Sequence, residues 1–460
     1  MKAKYWLIPM VGMALALTSC KKEGCTDSAA TNYDADAKKD DGSCMYSTPA
    51  AEKATFKVTL ENVSPARDFM ASGSFATPDG ASAPGPAMPG NSYSFTFPAA
   101  PGAKLSFATM YVQSNDLFFG ASGDGIELFN GSTPVTGDVT SQVLLIDAGT
   151  EVNQMPGTGA DQAPRQSGPN TGAAENGTVR EISMVNDGFT YGAVNTYINV
   201  ILSDEGNGMM KCTIENLTGS STPIAPGVWV VHQSSNPIYT LGQADPGKGL
   251  EGLAEDGSHS TLASDLEGRS GIASPFAPGV FAVHNAGVKP LFTDGAHHPD
   301  NGLEALAEDG NPATLEQALA GISGVTSYGV FNTPVGATDP GGIGTGGKYE
   351  FTFTATKGQY LSLATMFVFS NDAFSAPADG GIALWDGNSP ISGDISSSLL
   401  LWDAGSEVNQ YPGSGPDQPA IGGPETGTDE HNNVQLITSV GDGFSYPASA
   451  DVLKVTITVQ

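Results

Sequence analysis

Two trios of acidic residues repeat along this 460-residue chain with the same spacing. Asp116, Asp147 and Glu151 form the first trio, and Asp372, Asp403 and Glu407 the second. In each, 31 residues separate the two aspartates and the Glu follows four positions later. The second Asp opens an Asp-Ala-Gly run, which favours a tight reversal, so carboxylates from two segments can be brought to one point. Converging carboxylates repel one another and resist ionisation unless a cation joins them. Ca²⁺ accepts many oxygens in flexible geometry and suits such a set better than Mg²⁺, which demands a strict octahedron. One Ca²⁺ per trio is therefore expected, with backbone carbonyls and water completing the shell. The alternative is that these residues cap turns on a solvated rim.

The segments that carry the trios are copies of one another. Leu105 to Asp116 matches Leu361 to Asp372 at nine of twelve positions, an offset of 256 that persists from Asp147-Ala-Gly-Thr-Glu151 to Asp403-Ala-Gly-Ser-Glu407. Each copy alternates apolar and polar residues, as at Tyr93, Phe95 and Phe97, at Tyr349, Phe351 and Phe353, and at Leu453, Val455, Ile457 and Val459. Period-two runs split by Gly and Pro predict antiparallel strands, and the 59 Gly and 31 Pro leave room for few long helices. The fold expected is all-β, two antiparallel β-sandwich domains.

The front halves differ. Thr59-Leu-Glu-Asn62 echoes at Thr213-Ile-Glu-Asn216, an offset of only 154, so the second copy carries about 102 additional residues (256 − 154). These are themselves duplicated. Ala225-Pro-Gly-Val228 recurs as Ala277-Pro-Gly-Val280, and Leu253-Ala-Glu-Asp-Gly257 as Leu306-Ala-Glu-Asp-Gly310. Asn311-Pro312 reads as a helix cap followed by proline in the first turn, predicting one or two short helices here. The boundaries expected are 53–205 for a first domain with a shortened front half, and 209–460 for a second, with the duplicated segment at about 224–335.

Other chemistry is sparse. We find no intact Gly-x-Ser-x-Gly elbow, His-Glu-x-x-His pair or nucleotide-binding glycine loop, so an enzyme is not expected. His232 and His284 occupy equivalent positions beside apolar strands and read as structural. His297 and His298 invite a zinc or copper site, but adjacent residues of a strand point to opposite faces, which disfavours one. Phe118, Phe119 and Phe374, beside the acidic trios, read as core rather than as an exposed recognition edge. Cys212 shares strand parity with Ile214 and reads as a buried small hydrophobe.

The 49 acidic and 19 basic residues give a net charge of −30, which argues against nucleic-acid partners. Lys2 and Lys4 precede an apolar run, Trp6 to Leu17, too short to span a bilayer comfortably. Leu17-Thr18-Ser19-Cys20 then resembles the lipobox of bacterial lipoproteins. That resemblance implies a signal peptide at 1–19, lipidation of Cys20 and an outer-membrane, surface-exposed protein held to the membrane by its lipid alone. Residues 20–52 would be the tether. Outside the cytosol Cys25 and Cys44 are expected to form a disulfide, whose loop closure contributes about 3 kcal/mol. Asp34, Asp36, Asp40 and Asp41 inside that loop could serve calcium, although Lys38 and Lys39 interrupt the pattern; a stapled spacer is the other reading.

Ser-Asn-Asp-(Leu or Ala)-Phe followed about thirty residues later by Asp-Ala-Gly-(Thr or Ser)-Glu resembles the spondin N-terminal domain of F-spondin, mindin and bacterial secreted proteins. The resemblance covers roughly four fifths of the chain, with the first copy lacking the duplicated segment. It implies a C2-like β-sandwich and a calcium site built from Asp116, Asp147 and Glu151 in one domain and Asp372, Asp403 and Glu407 in the other. Animal members carry Asp where this chain has Glu151 and Glu407, which keeps the charge and lengthens the reach. The function implied is non-catalytic adhesion or recognition of an extracellular protein or glycan; a carbohydrate-binding lipoprotein and a secreted hydrolase are the alternatives.

Overall fold

The computed structural model describes residues 21–46, 51–424 and 426–460. The expected signal peptide at 1–19, the expected lipidation site Cys20 and residues 47–50 of the expected linker lie outside the described residues. The chain divides into two units, 1–52 and 53–460.

In the first unit Cys25 and Cys44 are joined by a disulfide, and Glu23–Gly24 pairs with Lys39–Asp40 in a two-residue ladder. The acidic side chains here are engaged locally. Asp34 accepts the Asp36 amide and meets Lys22 Nζ at 2.8 Å, while Asp40 and Asp41 accept the amides of Gly42 and Ser43.

The second unit is mostly strand and holds two modules of the same three-layer plan. In the first module an outer sheet runs in the order Gly137–Asp138, Ile198–Gly206, Met209–Asn216, Ser92–Pro98. Its inner sheet runs Arg180–Glu181, Val143–Asp147, Leu117–Ala121, Lys104–Tyr111, Ile224–His232, Ala71–Phe75. The second module repeats both. Its outer sheet is Lys348–Thr356, Lys53–Asn62, Leu453–Val459, Gly393–Asp394, and its inner sheet is Val325–Phe331, Phe276–Asn285, Gln359–Phe367, Ala373–Ala376, Leu400–Asp403, Gln435–Leu436.

The burial pattern explains the layering. Lys53–Asn62 alternates buried and half-buried residues, as a strand with one solvated face must, whereas Leu117–Ala121 is buried throughout. The inner sheet needs a second cover, and short helices supply it. Helices α1 (Leu250–Asp256) and α2 (Ser260–Gly268) bury Leu250, Leu253, Leu262 and Leu266 against Phe118, Ile146, Val228 and Val230. Helices α3 (Leu303–Asp309) and α4 (Ala313–Leu319) do the same over Val280, Ala282, Phe374 and Trp402. Asn311 Oδ1 accepts the Ala313 amide at 3.2 Å, while the N-cap position of α4 falls on Pro312, one residue later than expected. Phe118, Phe119 and Phe374 are fully buried, as core.

The sheet pairings correct the domain boundaries. Lys53–Asn62, expected to open the first domain, lies in the second module between Lys348–Thr356 and Leu453–Val459. Met209–Asn216, expected to open the second domain, instead pairs with Ile198–Gly206 and Ser92–Pro98 in the first module. The strand Ile224–His232 and helices α1 and α2 also belong to the first module, so neither copy is shortened and the duplicated segment is shared one copy to each. The first module is thus inserted between the first and second strands of the other. Sequence offsets follow chain order, but the apolar faces decide the partner: Phe56, Val58 and Leu60 fill the second core, and Met210, Cys212 and Ile214 fill the first. The chain crosses near Phe69 and returns near Ser270, where these residues form a parallel bridge and Arg269 pairs with Asp68 at 2.8 Å.

Candidate carboxylate sites

In the first module Asp116 ends the loop that enters Leu117–Ala121, and Asp147 is the last residue of the neighbouring strand Val143–Asp147, in register with Leu117. Adjacent strand ends therefore place the two aspartates side by side, and both are fully buried. The Asp-Ala-Gly reversal follows at once. Gly149 sits at φ 71°, and a Cβ there would lie 2.6 Å from the Thr178 carbonyl oxygen, so only glycine fits the turn.

The turn folds its amides back over Asp116. Thr150 and Glu151 N–H donate to Asp116 Oδ2 at 2.8 and 3.1 Å, while Asp116 Oδ1 is buried without a hydrogen-bond partner. Asp147 Oδ1 accepts Gly149 N–H at 2.8 Å and Arg180 at 3.3 Å, and its Oδ2 accepts Asn153 at 2.6 Å. Glu151 points elsewhere: it accepts the Gly172 amide at 2.7 Å and Asn115 Nδ2 at 3.2 Å. Asp116 and Asp147 are thus brought together. The carboxylate of Glu151 stays on the Asn115 side, although its amide touches Asp116.

A fourth acidic residue stands nearby. Glu255 of α1 is buried with the Thr150 side chain as its one favourable polar neighbour, beyond regular hydrogen-bond geometry, and its charge interacts unfavourably with Glu151, Glu251 and Asp116. It belongs to the repeated Ala-Glu-Asp-Gly motif, so the signal was present in the sequence but reads equally well as a solvated helical glutamate. Its counterpart Glu308 of α3 is also buried and adds unfavourable charge to Asp372.

The second module repeats the arrangement. Asp372 Oδ2 accepts the amides of Ser406 and Glu407 at 2.8 and 3.2 Å, and its Oδ1 is buried and unpartnered. Asp403 Oδ2 accepts Asn409 at 2.6 Å, and Glu407 accepts the Gly427 amide at 3.1 Å. The counterpart of Arg180 is Gln435, so no guanidinium reaches Asp403.

Burial is the largest cause of every shift at these sites, and the paired aspartate follows it at Asp116 and Asp372. Burial, then the Asp147 charge, pushes Asp116 up to about 7. Burial raises Asp147 against the opposing pull of Asn153 and Arg180. Burial pushes Asp403 up to about 6 and raises Glu151, and burial with the Asp403 charge lifts Asp372 well above the carboxylate range. Glu255 is pushed up to about 8 by burial and its acidic neighbours. Among the described residues no group of three or more His, Cys, Asp or Glu side chains is arranged to hold a metal as it stands. What the geometry supplies in each module is a buried aspartate pair with one unpartnered oxygen, and one helical glutamate, Glu255 or Glu308, within electrostatic reach.

His232, His284 and Cys212 are structural. His232 Nε2 meets Ser106 Oγ at 2.8 Å and His284 Nε2 meets Ser362 Oγ at 2.9 Å, and each Nδ1 faces a backbone carbonyl. Cys212 is a fully buried free thiol. Among the described residues no helix is long and apolar enough to cross a membrane.

Fold and site together define an all-β protein made of two duplicated modules, each with a buried acidic cluster at one rim of its inner sheet. No family model matches the chain, and no curated protein matches it significantly.

Proposed function

We propose that this chain is a calcium-binding surface protein of the spondin N-terminal type, with C2-like β-sandwich modules, lipid-anchored at Cys20 and serving adhesion or recognition rather than catalysis. One observation carries the calcium reading. Asp116 and Asp372, unrelated in position but equivalent by repeat, each keep a buried Oδ1 with no partner beside a second buried aspartate. A buried oxygen without a partner costs about 1–3 kcal/mol, more when charged. The same cost at both sites is a cost that a bound cation would offset. Asp116, Asp147, Asp372 and Asp403 would be the first ligands. Glu151 and Glu407 would join after a side-chain rotation or through water, and Glu255 and Glu308 lie near enough to complete the charge. Calcium would then fix the loops that follow each Asp-Ala-Gly turn, and those loops would present the contact surface.

The test is the melting temperature of the chain beginning at Lys21, with calcium and with chelator. A clear drop with chelator is expected, and the drop should shrink when Asp147 and Asp403 are both changed to Ala. Equal melting in both conditions would sink the reading. A carbohydrate ligand is the second reading, supported by a cavity of about 580 Å³ between the modules, lined by Phe69, Phe369, Arg67, Asp68 and Gln233. Apolar faces with polar side chains at their edges suit a sugar ring. Glycan-array binding distinguishes it from protein adhesion.

A further inference from the structure

We propose that His297, His298 and His431, with Glu304, form a binding site for a borderline divalent transition-metal ion of the Zn²⁺ type, sharing no residue with the carboxylate sites. The sequence expectation that His297 and His298 diverge fails because they do not lie within a regular strand. His297 makes a single bridge to Asn433, and His298 and Pro299 after it belong to no strand before the turn at Asp300. Their ring centroids are 4.3 Å apart, and the His431 ring lies 6.4 Å from that of His297, brought there by a segment more than 130 positions away in the chain (431 − 297 = 134).

His298 is the fixed member. It is 7 % exposed, its Nδ1 is buried without a hydrogen-bond partner, and Glu304 Oε2 stands 3.9 Å from that nitrogen. Two donors each about 2.0–2.2 Å from one ion can span such a gap, so a metal fits between them. His297 and His431 are exposed, so their rings can turn. His297 Nδ1 is engaged by the His298 carbonyl at 2.9 Å, which leaves Nε2 as its ligating atom, the usual arrangement in which a partner fixes the other ring nitrogen. As they stand the rings do not meet at one point; closing on the metal requires the two exposed ones to swing toward His298. Imidazole nitrogens with one carboxylate make a four-donor set suited to zinc and too soft for calcium.

The repeat supplies an internal control. Val434 N–H donates to the Ala296 carbonyl where Val179 N–H donates to that of Gln243, which fixes the correspondence between modules. His297, His298 and His431 then align with Ala244, Asp245 and Asn176, while Glu304 aligns with Glu251. The first module builds the same loops without a single imidazole, so the fold does not need these histidines.

The experiment uses the full untagged chain, saturated with calcium, and titrates Zn²⁺ by calorimetry and Co²⁺ by visible absorption. One zinc per chain is expected, with the d–d bands of tetrahedral cobalt. The combined variant His297→Ala, His298→Asp, His431→Asn installs residues the other module already accommodates. It should lose zinc binding by about 100-fold or more while keeping the calcium response and melting temperature of the parent. Glu304→Gln should weaken zinc by roughly tenfold to a hundredfold. No zinc uptake by the parent, or undiminished uptake by the triple variant, overturns the proposal; unchanged affinity in Glu304→Gln overturns the assignment of that carboxylate.

Discussion

The two modules share strands, helices and turn chemistry, yet their acidic sites are balanced differently. In the first, Arg180 reaches Asp147 at 3.3 Å and Glu175 at 2.5 Å, so part of the negative charge is neutralised from within. In the second, Gln435 stands in place of that arginine, and Asp372 and Asp403 are served by amide donors and the Ser406 hydroxyl, all uncharged. The difference teaches that a duplicated site need not keep a duplicated dependence on its ion. The first should tolerate loss of the cation better than the second.

The largest effect concerns which strand completes which module. Val58→Asp places an unpaired carboxylate in the second core, and Ile214→Asp does the same to the first. Each should cost more than about 4 kcal/mol, the range of buried unpaired charges. Val58→Asp should abolish the unfolding transition of the second module and leave the first, with Ile214→Asp the reverse, as read by limited proteolysis and calorimetry. If Val58→Asp unfolds the first module, the exchanged-strand architecture is wrong.

A smaller effect should follow from swapping the charge difference. Arg180→Gln should make the first module more dependent on calcium, and Gln435→Arg should make the second less so. A change of about 1 kcal/mol moves the melting point of modules this size by roughly 2–4 °C. Indifference of both chelator-induced shifts to the swap would remove Arg180 as the distinguishing feature.

The smallest is a pH dependence. The unfolded chain ionises these carboxyls near their usual 3.8, whereas Asp116 holds its proton to about 7 and Asp403 to about 6. Between those values the folded state binds more protons than the unfolded one. Stability from these groups is therefore complete below pH 4 and is lost as pH rises through 6 to 7. In chelator the protein should melt lower at pH 7.5 than at pH 5.5, calcium should narrow the gap, and Asp116→Asn with Asp372→Asn should flatten it. A chelated protein that melts higher at pH 7.5 would contradict the raised carboxyls.

Much of this was legible in the sequence, and the failures have physical causes. Alternation at Tyr93, Phe95 and Phe97 marks a strand with one wet face, and Asp-Ala-Gly marks a reversal because Gly149 and Gly405 must adopt positive φ. The pairing of Asp116 with Asp147 follows from adjacent strand ends. The partner of Lys53–Asn62 was not legible, because an alternating strand states what its face requires and not which of two equivalent cores will provide it. Glu255 escaped notice because a glutamate in a helix usually faces water, and only the packing of α1 on the inner sheet turns it inward. His431 was invisible beside His297 because loop contacts, unlike strand periodicity, leave no spacing to count.

The insertion of one module inside the other sets the order in which the protein can be completed. Lys57 and Thr458 meet across neighbouring strands although 401 residues separate them. A chain emerging from its N-terminus can finish the inserted module while Phe56, Val58 and Leu60 still wait for Lys348–Thr356 to cover one edge of their strand and Leu453–Val459 the other. A chain lacking Leu453–Val459 would leave that edge of Lys53–Asn62 unpaired beside Phe56, Val58 and Leu60, and should aggregate more readily than the parent.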